Sequence, residues 1–161
     1  MAKEMSIRGI GHMFEFYVLP CGIVFIIISH FFKPLFSYRI NNEYVRLFIG
    51  LAFLLTGLLI NFISMKKIMP AFKEEKLVTE GIFRFSRNPT YASVIFFTIP
   101  AISLLLDSFL ILLCSIISFV LFKLLITREE KFLEEKFGDE YVTYKNKTAQ
   151  LIPRLFGKID S

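Results

Sequence analysis

Tryptophan is absent from the 161-residue sequence, which also holds only two cysteines, eight glycines and six prolines. So few breakers beside 20 phenylalanines exclude a disordered, collagen-like or low-complexity chain, which needs few aromatics and many breakers. Cys21 and Cys114 each lie inside a long apolar run and lack metal-ligand spacing. They read as packed thiols, because free cysteine behaves as a small hydrophobe. No glycine-rich nucleotide loop of the soluble type is present: Gly9 and Gly11 precede an apolar helix instead of following a strand. Charge is scarce as well, at 20% of residues against 55% hydrophobic, with mean hydropathy +0.60. That is too apolar for an ordinary soluble fold. The net charge of +5 would raise the question of nucleic acid in a soluble domain, whereas in a membrane protein it reports orientation first.

What the chain does have is hydrophobicity gathered into four blocks. Phe14–Phe32 and Val45–Ser64 approach the ~20 residues that cross ~30 Å of hydrocarbon as helix. Tyr91–Leu106 is shorter, and Phe109–Ile126 follows it after only Asp107 and Ser108, a joint that predicts a helical hairpin. Stretches such as IVFIII and FLLTGLLI are apolar all round, which a soluble amphipathic helix is not. The predicted fold is therefore all-α, a polytopic membrane protein with about four transmembrane helices. The first block contains Glu15 and Pro20 and is followed by bulky residues, so it offers no signal cleavage site and reads as a retained helix. With both termini and the 65–90 loop on one side, that side holds fifteen Lys and Arg, against Lys33, Arg39 and Arg46 on the other. Lys123, near the inner end of the fourth block, snorkels out. The imbalance places both termini and the 65–90 loop in the cytoplasm.

After Ile126 the sequence TREEKFLEEKF keeps strong helix formers and a possible i,i+4 pair of Lys131 with Glu135, until Gly138 offers a stop. A helix from Phe109 to Phe137 is ~43 Å long at 1.5 Å per residue, so roughly 15 Å projects past the hydrocarbon. Asp139 is placed to cap a further short helix, EYVTYKNK, and Pro153 ends the pattern. No repeat or linker interrupts the chain, so 1–161 reads as one domain with variable helices over 1–64.

Polar residues concentrate in LVTEGIFRFSRNPTY (77–91) and TREEKFLEEKFGDEYVTY (127–144). Asn88 and Pro89 are a standard N-cap and first helical residue, and on that reading only turn the chain into the membrane. A helix start beside Arg84 and Arg87 is also a ready anion site. If the third and fourth blocks pair, Glu129 and Glu130 meet that turn at the same depth, and an anion site beside a cation site suits a zwitterion. Within the membrane, Gly57 and Asn61 read as helix-packing residues. The other reading is a lining for a lipid-side entrance, with His12 and Glu15 contributing.

The order LVTxGIFRxSRNPxY, then two hydrophobic stretches, then REEKFLEEKFGDEYVTYKxK ending in IP resembles the isoprenylcysteine carboxyl methyltransferase and phospholipid methyltransferase superfamily. The likeness covers residues 77–153. It implies an integral membrane enzyme using S-adenosylmethionine (SAM) in a cytoplasm-facing cofactor-binding region over those residues. Carried over, Arg87, Asn88, Pro89, Tyr91, Glu129 and Glu130 contact the cofactor, with Arg87 and Glu130 as the catalytic positions. Leu77, Val78 and Gly81 border it through their backbone, while Phe137, Gly138, Tyr141 and Tyr144 close the site. The implied partners are a lipid-like or small hydrophobic methyl acceptor and membrane lipids, with no metal and no nucleic acid.

Two departures stand out. Asn88 replaces a common His, keeping hydrogen bonding but losing a proton shuttle, and Gln150 replaces a common Arg, which removes a carboxylate anchor. Methyl transfer from a sulfonium is an in-line displacement that asks the protein mainly to align reactants and exclude water. A carboxylate acceptor needs no base, whereas an amine or thiol must lose a proton. Glu129 and Glu130 suit the SAM ammonium, and one of them suits that proton. A sterol-type reductase using NADPH shares a similar hairpin, and a non-catalytic membrane scaffold is the reading from another class.

Overall fold

A computed structural model of the chain describes residues 11–152, with side chains from Met13 on. Lys3, Arg8, Gly9 and Pro153, and the side chain of His12, lie outside these residues. Among the described residues every regular element is helical. Helix α1 is Gly11–Phe31, followed by a single turn, α2, at Lys33–Phe36. Helix α3 runs from Glu43 to Lys73, and the side chain of Asn42 caps it by accepting from the Val45 N–H at 3.2 Å. It thus passes the expected end at Ser64 by nine residues, because MKKIMPAFK holds no breaker until Pro70 in the last turns. The loop expected over 65–90 accordingly begins only at Glu74.

The third block is a broken helix. α4 is Pro89–Ser93, a π-turn covers Val94–Thr98, and α5 is Ile99–Leu105. Pro100 has no N–H and its ring crowds the carbonyl four residues back. The backbone widens just before it, with the Ile99 N–H bonding Val94 O, and the Thr98 hydroxyl donates to Ser93 O at 3.3 Å. After a 3-10 turn at Phe109–Ile111, α6 runs Leu112–Phe137 and α7 Asp139–Lys147. Against the expectation of about four spans, among the described residues three helices are long and apolar enough to cross a membrane by themselves: Met13–Phe31, Glu43–Lys73 and Phe109–Phe137. Pro89–Leu105 falls short of them.

The broken segment packs between α3 and α6, and α6 packs in turn on α1. Small residues set the α3 contact. Gly50, Gly57 and Ser64 are buried at seven-residue intervals on one face, which lets backbones approach as in membrane helix pairs. A Cβ at Gly57 would stand 2.8 Å from Thr98 Oγ1 and 3.3 Å from the Thr98 backbone nitrogen. This supports packing as the role of Gly57; Asn61, one turn on, is half-buried. The second contact, between α6 and α1, is filled by Phe14, Val18, Ile95, Ile99, Phe122 and Ile126. Both thiols are free and pack in this same cluster, Cys114 buried and Cys21 half-buried.

At the Asp107 end, polar groups close the turn between α5 and the 3-10 turn. Asp107, with φ of 54°, accepts from Ser37 Oγ at 2.8 Å and from the Tyr38 N–H at 3.3 Å, and pairs with Arg46 Nε at 3.5 Å. Arg46 also donates to the carbonyls of Leu104 and Leu105, so a cation sits at the C-terminus of α5, joining the Asp107 N–H that already donates to Leu104 O at 3.2 Å. At the other end Gly138, with φ of 53°, ends α6 and donates its N–H to Glu134 O at 2.9 Å. The expected stop is there, but Asp139 is the first residue of α7 and makes no capping bond; Gly138 occupies the cap. The positive φ turns the chain back on itself and leaves Asp139 past the point where its side chain reaches the free N–H groups.

Candidate functional site

The site lies at the Arg87 end of the helix array, where three stretches meet: the 85–88 turn, the last turns of α6, and α7 with the residues after it. Pro89 opens α4 as expected, but Asn88 makes no capping bond with its side chain. Its Nδ2 donates to Gln150 O at 3.0 Å. The Arg87 N–H donates to Ala149 O at 2.8 Å, and Ser86 Oγ reaches Gln150 O at 3.4 Å. Residues 148–151, beyond α7, are thereby stitched over the turn that starts α4. That bond turns the Asn88 amide toward residue 150, and its oxygen makes no bond to the N–H groups at the start of α4.

Glu130 is the hub. Its side chain is 10% exposed, and Oε1 accepts from Arg87 Nη2 at 3.0 Å and from Gln150 Nε2 at 2.9 Å, while Oε2 pairs with Lys145 at 3.1 Å. Lys145 also meets Glu134 Oε1 at 2.6 Å. The Glu134 hydrogen bond, followed by Glu130, holds the Lys145 ammonium above its usual range despite some desolvation, so it stays charged. Gln150 Oε1 accepts from Lys123. Arg87 is 8% exposed, and its Nε and Nη1 are buried with no acceptor among the described residues. Two buried guanidinium donors without partners cost free energy unless a ligand or water satisfies them.

The two adjacent glutamates diverge, since neighbours on an α-helix point about 100° apart. Glu130 faces Arg87 and α7, while Glu129 hydrogen-bonds the Tyr91 hydroxyl. Tyr91 in turn lies edge-on to Phe14, with ring centroids at 5.2 Å. Glu15, next in sequence, is exposed.

Tyr141 joins the hub to the 77–81 stretch. With Phe83 and Tyr144 it forms a buried cluster on which Leu77, Val78 and Phe137 pack. Burial, then the Glu130 charge, pushes the Tyr141 phenol up, opposed by Arg87. Burial likewise raises Tyr144, whose hydroxyl donates to Phe83 O at 2.7 Å. Tyr144→Phe strands that carbonyl and is expected to lower unfolding stability by about 1–2 kcal/mol, measured by thermal unfolding in detergent. Gly81 is exposed with φ of 66°, and a Cβ there would meet Lys67 Nζ at 2.7 Å. Leu77 and Val78 line one side of a cleft of about 320 Å³ against Lys67, Pro70 and Ala71.

The structure therefore brings Arg87, Asn88, Pro89, Tyr91, Glu129 and Glu130 together, packs Leu77 and Val78 on the tyrosine cluster, and leaves Gly81 exposed beside Lys67. Lys145 and Ala149 carry site contacts that the motif reading passed over. A signal for Lys145 exists: Glu130 and Glu134 are i,i+4 acids on one helix face, and a chain reversed at Gly138 returns Lys145 beside them. Among the described residues no three His, Cys, Asp or Glu are grouped to hold a metal ion.

The residues fit the amino-acid end of SAM. Arg87 Nε and Nη1 lie on either side of the Nη2 that holds Glu130, so each is a single donor for a carboxylate oxygen, and the adjacent Glu130 suits an ammonium.

A family model described as phospholipid methyltransferase matches residues 45–140. The protein-S-isoprenylcysteine O-methyltransferase of Schizosaccharomyces pombe is 35% identical over 83 residues, covering 52% of this chain and 35% of that protein. Its namesake from Saccharomyces cerevisiae is 35% identical over 77 residues, 48% of this chain and 32% of that protein. A probable protein-S-isoprenylcysteine O-methyltransferase of Oryza sativa subsp. indica is 24% identical over 154 residues, covering 85% of this chain and 75% of that protein. The chain thus spans about a third of the length of the first two relatives.

Proposed function

Because the chain belongs to the phospholipid methyltransferase family, we propose that it is a SAM-dependent membrane enzyme that methylates an amphiphilic or small hydrophobic acceptor at the cytoplasmic face. One observation carries the reading: buried Arg87 pairs with Glu130 through one nitrogen and leaves two others without an acceptor among the described residues. Such a cation beside a carboxylate recognises a zwitterion. When bound, SAM supplies an activated methyl group.

The remaining work falls to the chain. Arg87 would hold the carboxylate end and Glu130 the ammonium end, which would restrict how the ligand is oriented. Tyr91 and Glu129 form the membrane-side wall, from which an amine or thiol acceptor can pass a proton to Glu129; a carboxylate acceptor needs none. Asn88 holds residue 150 in place and takes no part in proton transfer, because an amide does not titrate. The Phe83, Tyr141 and Tyr144 cluster, with Leu77 and Val78, keeps water from one side. The basic residues of 65–90 and of the C-terminal segment orient this end toward the cytoplasm, and the third and fourth segments cross as a hairpin.

Titration of the detergent-solubilised protein with SAM, S-adenosylhomocysteine and NADPH tests this. Saturable binding of both adenosyl ligands and none of NADPH is expected. Absence of SAM and S-adenosylhomocysteine binding overturns the proposal, and saturable NADPH binding favours the reductase reading.

A further inference from the structure

Lys145 lies on Glu130 Oε2 at 3.1 Å, the carboxylate oxygen that neither Arg87 nor Gln150 contacts. Of the three groups on Glu130, Arg87 and Gln150 share Oε1, whereas Lys145 is the partner on Oε2. Arg87 is 8% exposed and held also by its own backbone bond to Ala149 O, while Lys145 is 35% exposed. The lysine reaches Glu130 from the open side. It also has a second carboxylate, Glu134, at 2.6 Å, shorter than its 3.1 Å contact with Glu130.

We propose that Lys145 is an internal stand-in for the ammonium of the zwitterionic ligand: it neutralises Glu130 in the free protein and retires onto Glu134 when the ligand takes Oε2. The inference rests on the reading above that Arg87 and Glu130 hold the amino-acid end of SAM. The free site gains a neutralised Glu130, since a buried carboxylate left with too little positive charge is costly. The bound site gains a ready acceptor for the displaced lysine. Glu134 therefore lowers the cost of exchange, and Lys145 sets affinity by competition. Lys145 is a positioning residue here and touches no reacting atom.

The two residues thus make opposite predictions for one binding constant. Lys145→Ala removes the competitor and tightens S-adenosylhomocysteine binding by roughly two- to fivefold, the range set by an ion pair of this exposure. Glu134→Gln removes the refuge and weakens binding by a similar factor, because Lys145 then has only Glu130 to pair with. The double variant behaves as Lys145→Ala. Lys145→Arg, which keeps a cation on Oε2, stays within twofold of wild type and controls for loss of packing. Isothermal titration on the full chain reads these constants, with thermal unfolding run on each variant. If Lys145→Ala unfolds, the opposite shift in Glu134→Gln decides the question alone. Unchanged or weaker binding in folded Lys145→Ala, or unchanged binding in Glu134→Gln, overturns the stand-in role while leaving the SAM reading intact. Loss of all binding in the wild-type protein overturns both.

Discussion

Arg87→Ala is expected to abolish detectable S-adenosylhomocysteine binding and to lower unfolding stability by about 3 kcal/mol. Both members of the Arg87 and Glu130 pair are about nine-tenths buried. Removing one partner of such a pair costs ~3–5 kcal/mol, because the other charge is left in a poor solvent. Lys145 and Gln150 remain on Glu130, which puts the cost at the low end. Ligand loss follows separately, since the variant removes both nitrogens that await an acceptor. Arg87→Lys is expected to recover part of the stability but little of the binding, because one ammonium cannot hold Glu130 and also present the donors that Nε and Nη1 offer in other directions. Titration and thermal unfolding measured on the same samples separate the two losses. Wild-type affinity in a folded Arg87→Ala protein places the zwitterion site elsewhere.

Gly57→Ala carries the second large effect, and its origin is steric. The new methyl carbon meets Thr98 Oγ1 at 2.8 Å, Phe97 Cβ at 3.1 Å and the Thr98 backbone nitrogen at 3.3 Å. A hydroxyl can rotate away, but a Cβ and a backbone atom cannot. The helices must separate, and overpacking of this kind costs ~1–3 kcal/mol. Gly22→Ala is the control: among the described residues the new methyl carbon meets only Cys114 Sγ, at 3.9 Å, ordinary contact, and alanine favours helix by up to about 1 kcal/mol. The thermal midpoint is expected to fall in Gly57→Ala and to hold or rise in Gly22→Ala. A fall of the same size in both would remove the steric explanation. The effect reaches the site, because Thr98 lies in the same broken segment that begins at Pro89.

Much of the helical arrangement was legible in the sequence, because a run apolar on every side has no amphipathic alternative. The Gly138 stop and the Lys131 and Glu135 pair, at 4.0 Å, were equally local. Boundaries were less so. The continuation of α3 to Lys73 and the π-turn before Pro100 depend on neighbours and on a missing N–H. At the site, the motifs identified Arg87 and Glu130 as candidates, and they form an ion pair. Asn88 departed from its local rule, its amide turned toward Gln150 O, 62 residues away in sequence. Lys145 went unnoticed because its two acids lie on another helix.

The apolar runs along the sequence by themselves predicted helices able to cross a membrane, since segments this long and apolar in lipid must satisfy their backbone internally. Its pattern of basic residues likewise carries the orientation proposed for it, and its polar segments named the residues that meet. Only the tertiary structure decided how they meet. Which glutamate faces which partner, how residues 148–151 cover the Asn88 turn, and which nitrogens of Arg87 find no acceptor among the described residues all depend on α7 folding back at Gly138. That reversal brings together charges far apart in sequence, and the resulting ion pairs carry no periodic mark along the chain.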